Sequence, residues 1–312
     1  MGLGLVDTKK LRYFAQIADL GNMRRAAEAL RVAQPALTTQ ISNLETELGV
    51  RLFERSHLGM RLTPAGDVLY RHARSILRHL EDARLAVMDE GRQLSGSVSV
   101  GIAGSTGKVL AVPLLKKAAL HRGMLLEIVE RPSAELLALV ARGRLDIAIV
   151  VDARPCRGAT ITPMLIEDLF VIMPGAEAEG RSTVSLEFLA RKPLILPSLP
   201  STIRQRLDML LMQARLDYRL VGEVSATDML LRMVIGGLGW TVLPSAAVQA
   251  EVATGVVGAL PLAAGYALNR ELSLCVSDIT PLSHVASAVR DMLRAIVDDL
   301  LQAGEWVGVS RV

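Results

Sequence analysis

Gln34, Thr38, Thr39 and Ser42 share one face of a helical run that opens at Gln34, and their side chains suit the edges of base pairs. A glutamine amide pairs with adenine through two hydrogen bonds, and a threonine methyl packs on the methyl of thymine. Pro35 is tolerated there, because an N–H in the first helical turn has no intrahelical partner to lose. Arg24 and Arg25 precede this face, and Arg55, His57 and Arg61 follow it. Cationic groups so placed hold phosphates and fix register, while the neutral side chains read sequence. The same residues also read as the wet face of a surface helix flanked by ordinary ion pairs, so the elements that carry them decide.

Those elements form a three-helix pattern. Leu11, Phe14, Ile17 and Ala18 make one face of a helix over 9–20, ended by Gly21. Asn22 caps a second helix over 23–30, whose Ala26-Ala27 pair lets two helices cross closely. A turn at 31–33 leads to the third helix, with Leu37, Ile41, Leu44 and Leu48 as its buried stripe and Gly49 as its stop. Residues 51–62 then read as a small hairpin around Gly59. This is a winged helix-turn-helix, assigned to residues 1–62. The first 80 residues hold 12 Lys and Arg against 7 Asp and Glu, the rest 23 against 25. A basic module is thus attached to a slightly acidic body.

Residues 63–95 read as one long helix, with Thr63 as its N-cap and Pro64 in its first position. Leu69, Ala73, Ile76, Leu80, Ala83 and Val87 recur at steps of four and three, a heptad seam that Leu94 continues. With little else apolar, the seam predicts pairing with a second helix; the alternative is packing on its own domain. From 96 to 312, strand candidates at 97–103, 125–130, 145–151, 168–173, 193–196, 219–224, 239–243 and 271–277 alternate with helical runs. That order predicts an α/β domain with largely parallel sheets, as one sheet or as two subdomains.

Several classes are excluded. Residues are 51% hydrophobic but only 3% aromatic, so the core must be aliphatic. No apolar stretch is long enough and free enough of charge to span a membrane. The N-terminus lacks a signal-peptide layout, so a cytoplasmic location is expected. Two cysteines, Cys156 and Cys275, make neither a disulfide framework nor a zinc site. No P-loop, nucleophile elbow or dinucleotide fingerprint occurs, and His121 and His284 lack partner patterns, so no enzyme activity, cofactor or metal is expected.

The run ALRVAQPALTTQISNLETELGVRLFERSHLGMRLTPAG (29–66) resembles the DNA-binding end of LysR-type transcriptional regulators. GRLDIAIV (143–150), EDLFVIM (167–173) and GGLGWTVLP (236–244) extend the resemblance along the chain. The stretches 72–101 and 196–208 look closest to the nitrogen-assimilation-control branch. The resemblance implies a multidomain α and α/β architecture: a winged helix-turn-helix, a dimerising linker helix, and a two-subdomain effector domain of periplasmic-binding-protein type. It implies double-stranded promoter DNA, self-association into dimers and usually tetramers, and a small-molecule effector between the subdomains; RNA polymerase is the further partner expected. Gln34, Pro35, Thr38 and Thr39 are the base readers by motif position. Thr39 stands where an arginine is common and Leu58 where wings often carry a base, so an A/T-leaning operator is expected. Ala33 replaces a frequent serine cap. The matching effector loops carry Ser105, Thr106, Ser133, Ser198, Ser201 and Thr227 near helix starts, where N–H groups favour an anion, with Arg131 and Arg204 as countercharges. Each hydroxyl alone also reads as an ordinary helix cap. An effector-independent regulator, or one that responds to thiol oxidation at Cys156, is the alternative.

Overall fold

A computed structural model describes residues 7–56, 59–88, 94–263, 265–278 and 281–312. Helix α1 (Thr8–Leu20) starts where the Asp7 carboxylate accepts the Lys10 N–H, at 2.7 Å. Helix α2 (Met23–Leu30) starts where Asn22 accepts the N–H groups of Arg24 and Arg25, at 3.0 and 3.1 Å. The third helix, α3 (Gln34–Leu48), has no side-chain cap at Ala33. Phe14, Ile17, Ala26, Leu37 and Leu44 are fully buried between the three, and the Phe14 ring tilts onto Phe53. Leu48 departs from the expected stripe: as the last residue of α3 it is 38% exposed.

The wing is an antiparallel pair, β1 (Phe53–Ser56) and β2 (Gly59–Leu62). Two tethers fix it. Glu45 on α3 accepts the N–H groups of Leu52 and Phe53, at 2.7 and 3.2 Å, and the Met60 N–H donates to the Gly21 carbonyl at 2.8 Å.

Helix α4 (Pro64–Met88) opens where the Thr63 hydroxyl accepts the Gly66 N–H at 3.0 Å and donates to the Arg51 carbonyl at 2.7 Å. Glycine is required at 66, because a Cβ there would lie 2.1 Å from the Leu52 carbonyl oxygen. The seam divides. Leu69 and Ala73, with Tyr70 between them, pack into the core of the DNA-binding module, whereas Ile76, Leu80, Ala83 and Val87 are exposed. Within the chain, Ala73 is buried in the module core and Leu69 packs partly against it.

The remainder folds as two lobes. The first begins with β3 (Gly96–Ile102), α5 (Gly104–Ala118), β4 (Met124–Glu130), α6 (Ser133–Ala141) and β5 (Ile147–Val151). Strand β6 (Ala159–Pro174) then runs through both lobes. The second lobe holds α7 (Gly175–Ala178), α8 (Leu186–Ala190), β7 (Pro193–Pro197), α9 (Thr202–Gln213), β8 (Arg219–Val224), α10 (Thr227–Ile235) and β9 (Thr241–Pro244). A single 3-10 turn (Ser245–Ala247), α11 (Gln249–Ala253) and β10 (Val257–Leu260) complete it. Strand β11 (Asn269–Ser277) returns to the first lobe, followed by α12 (His284–Gln302) and β12 (Val309–Arg311).

One hydrogen-bonded path, β10-β6-β11-β5-β3-β4, links the lobes, with β9 and β12 also paired to β6. The apolar side chains nevertheless form separate cores, one within 169–268 and another built chiefly from 98–165 and 272–306. The expectation of largely parallel sheets is corrected. Among the strand pairs of the described residues, β3–β4, β3–β5 and β7–β8 are parallel; β11 runs antiparallel to β5 and β6, and β9, β10 and β12 run antiparallel to β6. A strand returning from the second lobe must run against the one that left.

Candidate nucleic-acid interface and interlobe cleft

The start of α3, the start of α2 and the wing meet around a concavity of about 290 Å³, lined by Asn22, Met23, Arg24, Gln34, Thr38, Gly59 and Met60. Gln34, Pro35, Thr39 and Ser42 are exposed and Thr38 is half-buried. The hydroxyls of Thr38 and Thr39 donate to the Gln34 and Pro35 carbonyls, each at 3.0 Å. Their donors are thus spent within the helix, leaving methyl groups and oxygen lone pairs for a partner. Arg24 is well exposed and donates from Nε to Glu28 at 3.0 Å, one helical turn on. Arg25 is also exposed. In the wing, exposed Arg61 stands opposite Glu54, and the backbone of Arg55 pairs with Met60. His57 and Leu58 lie outside the described residues. Thus Arg24, Gln34 and Thr38 share one concavity, while Ser42 lies two turns further along α3. Met23 and Met60 in its lining carried no signal in the sequence, since a methionine at a helix start or in a strand is ordinary.

In the cleft region the loop residues fare differently from one another. Ser105 and Thr106, at the start of α5, are buried; the Ser105 hydroxyl accepts from Arg270 at 2.8 Å, and the Thr106 hydroxyl has no hydrogen-bond partner. Ser133 accepts the Val151 N–H at 2.9 Å and so ties α6 to the end of β5. Ser198 is part-buried beyond β7, Ser201 precedes α9 without a side-chain cap bond, and Thr227 opens α10. Arg131 is exposed and donates to the Glu130 carbonyl at 2.8 Å. Arg204 is not available as a countercharge. It is buried, its Nε lies 2.7 Å from Asp208 and its Nη1 2.6 Å from Glu223. Burial opposes that charge, but the two carboxylates more than offset it and push the guanidinium pKa up.

The structure adds charged groups that local sequence did not reveal. Arg270 on β11 and Glu167 on β6 form a fully buried ion pair at 2.6 Å, and the Trp306 indole donates to Glu167 at 3.0 Å. Lys108 on α5 meets Asp228 on α10, and Arg206 on α9 meets Asp152 beyond β5, both at 2.6 Å. Cys156 is exposed, whereas Cys275 is buried in β11. Burial first, and then the Cys156 charge, push the Cys275 thiol up to about 12. No group of three or more His, Cys, Asp or Glu able to hold a metal occurs among the described residues.

Residues 8–67 match the family model described as the bacterial regulatory helix-turn-helix protein, lysR family, and residues 91–298 match the LysR substrate binding domain. The chain belongs to the LysR family. It is 33% identical over 308 residues to the nitrogen assimilation regulatory protein nac of Escherichia coli, covering 98% of this chain and 100% of that one. This bears out the likeness to the nitrogen-assimilation-control branch. A full-length OxyR from Pseudomonas aeruginosa superposes with a TM-score of 0.73 at 27% identity, covering 93% of this chain and 95% of that one. ArgP from Mycobacterium tuberculosis shares the fold, with a TM-score of 0.72 at 20% identity over 94% and 97% of the chains. This LysR-family chain is a DNA-binding transcriptional regulator with a ligand-binding-type domain, and not an enzyme. Among the described residues, no helix is long and apolar enough to cross a membrane.

Proposed function

We propose that the chain acts in the cytoplasm as a homodimer or homotetramer that reads a partly two-fold promoter site and signals to RNA polymerase when a small anion enters the interlobe cleft. The convergence of Gln34 and Thr38 with the α2 start and the wing in one concavity carries this reading. Gln34 and the methyl groups of Thr38 and Thr39 supply base contacts; Arg24, Arg25, Arg55, His57 and Arg61 supply phosphate and groove contacts. The exposed stripe Ile76, Leu80, Ala83 and Val87 supports pairing with a second copy, which places two reading helices about one helical turn of DNA apart. In the cleft, the start of α5 and the buried, unpartnered Thr106 hydroxyl support an anion site, together with Ser105, Ser133, Ser198, Ser201 and Thr227.

Footprinting and competition binding on the chain's own promoter test the reading face. Gln34→Ala is expected to cost about 1–3 kcal/mol on the preferred site alone, flattening the preference among sequences. Arg25→Ala is expected to weaken every sequence alike and to lower the salt slope by about one. Unchanged base preference in Gln34→Ala would remove that residue from the reading face.

A further inference from the structure

We propose that two ion pairs of the chain's own strap the lobes together across the cleft, and that Lys108–Asp228 is the pair a small anion displaces. The second part rests on the anionic-effector reading above; the first does not.

Each pair joins residues of different lobes. Lys108 lies on α5, two residues past the buried Thr106, and Asp228 follows Thr227 at the start of α10. The Lys108 ammonium also donates to the Ala247 carbonyl of the second lobe at 3.0 Å. Asp152 ends the first-lobe segment beyond β5, while Arg206 belongs to α9 of the second. A surface ion pair within one lobe leaves the lobe angle untouched, but these two act directly on it.

Asp152 is held in a demanding position. Its φ is +48°, in the left-handed region few side chains adopt, and two bonds to β11 keep it there. Its N–H donates to the Glu271 carbonyl at 2.8 Å, and its Oδ1 accepts the Glu271 N–H at 3.1 Å. The same Oδ1 takes Arg206, while Oδ2 is buried without a partner. The pair therefore ties α9 to a strand that runs between the lobes. At the other end the Lys108 side chain is 33% exposed and Asp228 is 72% exposed, so an incoming carboxylate or phosphate can replace Asp228 with another anionic oxygen on the same ammonium. The helix α5 start beside it favours such an anion further.

Ion pairs this exposed shift an equilibrium by about two- to fivefold each, and two acting on one rigid-body motion multiply to roughly tenfold. Hydrogen exchange of the full-length oligomer, read at 104–110, 202–208 and 226–232, tests this. Asp228→Asn and Arg206→Gln should each lower protection in those segments about two- to fivefold, and the double variant roughly tenfold, with α12 unchanged. The charge-swapped pair Lys108→Asp with Asp228→Lys should restore protection. Wild-type protection in the single variants, or a swap that restores nothing, overturns the strap. Inorganic phosphate and succinate serve as anion probes. In wild type each should lower protection at 226–232 toward the Asp228→Asn value, and neither should lower it further in Asp228→Asn. If neither anion lowers wild-type protection while the swap still restores it, the strap stands and the displaced-pair assignment is overturned.

Discussion

The proposed DNA-reading face and the region between the lobes use their polar groups in opposite ways. On the face, Gln34, Thr39 and Ser42 stand exposed, and the threonine hydroxyls bond only to their own helix. In the lobes, Arg204 and Arg270 are buried and each is met by a carboxylate of the same chain, and the more exposed Lys108 and Arg206 are paired across the lobes. A surface waiting for a polyanion can leave its donors to water, where they cost little. A buried charge has no such reservoir and must be paired from within. The face is thus ready for a partner, while the cleft's charges are already spoken for.

The sharpest way to break that contrast is to leave one cleft charge unpaired. Arg270→Ala strands the Glu167 carboxylate, which is 0% exposed, with Trp306 as its remaining side-chain donor. The expected loss is about 3–5 kcal/mol, because an uncompensated buried charge remains. The two tryptophans, Trp240 and Trp306, both lie in the lobes, so urea unfolding followed by their fluorescence reports this domain alone. A loss below about 1 kcal/mol would mean that Glu167 is not left uncompensated when Arg270 is removed.

A second test targets the junction between the module and α4. Tyr70 is buried and donates to Asp19 on α1, Arg74 reaches the same carboxylate, and the Arg144 guanidinium of the first lobe sits 5.0 Å from the Tyr70 ring centre. Burial first, and then the Asp19 bond, raise the Tyr70 pKa to about 12. An unfolded tyrosine ionises near 10, so the folded state holds this proton more tightly. The tyrosine's contribution is intact below pH 10 and is lost as pH rises from about 10 to about 12, by roughly 2–3 kcal/mol. Tyr70→Phe should remove that increment, so wild type and variant should converge in denaturant midpoint across this window. Parallel pH profiles would place the proton elsewhere.

The same contrast explains what could be read from sequence. Asn22, Gly21, Gly49 and the Ala26-Ala27 pair act through their own helices, so helix caps, stops and crossings showed directly, whereas the need for glycine at 66 comes from Leu52, fourteen positions away, and did not show. The long helix was legible as a helix, but not as a seam shared with its own domain, because Ala73 satisfies either surface equally. In the lobes, the helix-start loops showed as Ser and Thr, yet their state depends on distant partners: Ser105 on Arg270, Lys108 on Asp228, Asp152 on Arg206. A pairing across more than 50 positions leaves no periodicity behind. The first half of β6 was missed for a related reason, since Thr160, Thr162 and Pro163 look like a loop until β11 pairs beside them.

The smallest expected effect bears on the face itself. Ala33 precedes α3 with φ −68° and ψ 134°, an N-cap geometry, and no side chain there accepts the first free N–H groups. Ala33→Ser would add that acceptor without moving the backbone, and should stabilise the module by about 1 kcal/mol. Thermal unfolding followed by helical circular dichroism should register the gain, while tryptophan fluorescence from the lobes should not. The added hydroxyl also sits one residue before Gln34, at the helix end where a phosphate is expected to approach. If the uncapped start is there to receive that phosphate, the serine will compete with it. Stability should then rise while DNA affinity falls about two- to threefold, equally on preferred and random sequences. A rise in both would show that the Ala33 end is simply an incomplete cap, and would move the phosphate contact to Arg24 and Arg25 at the start of α2.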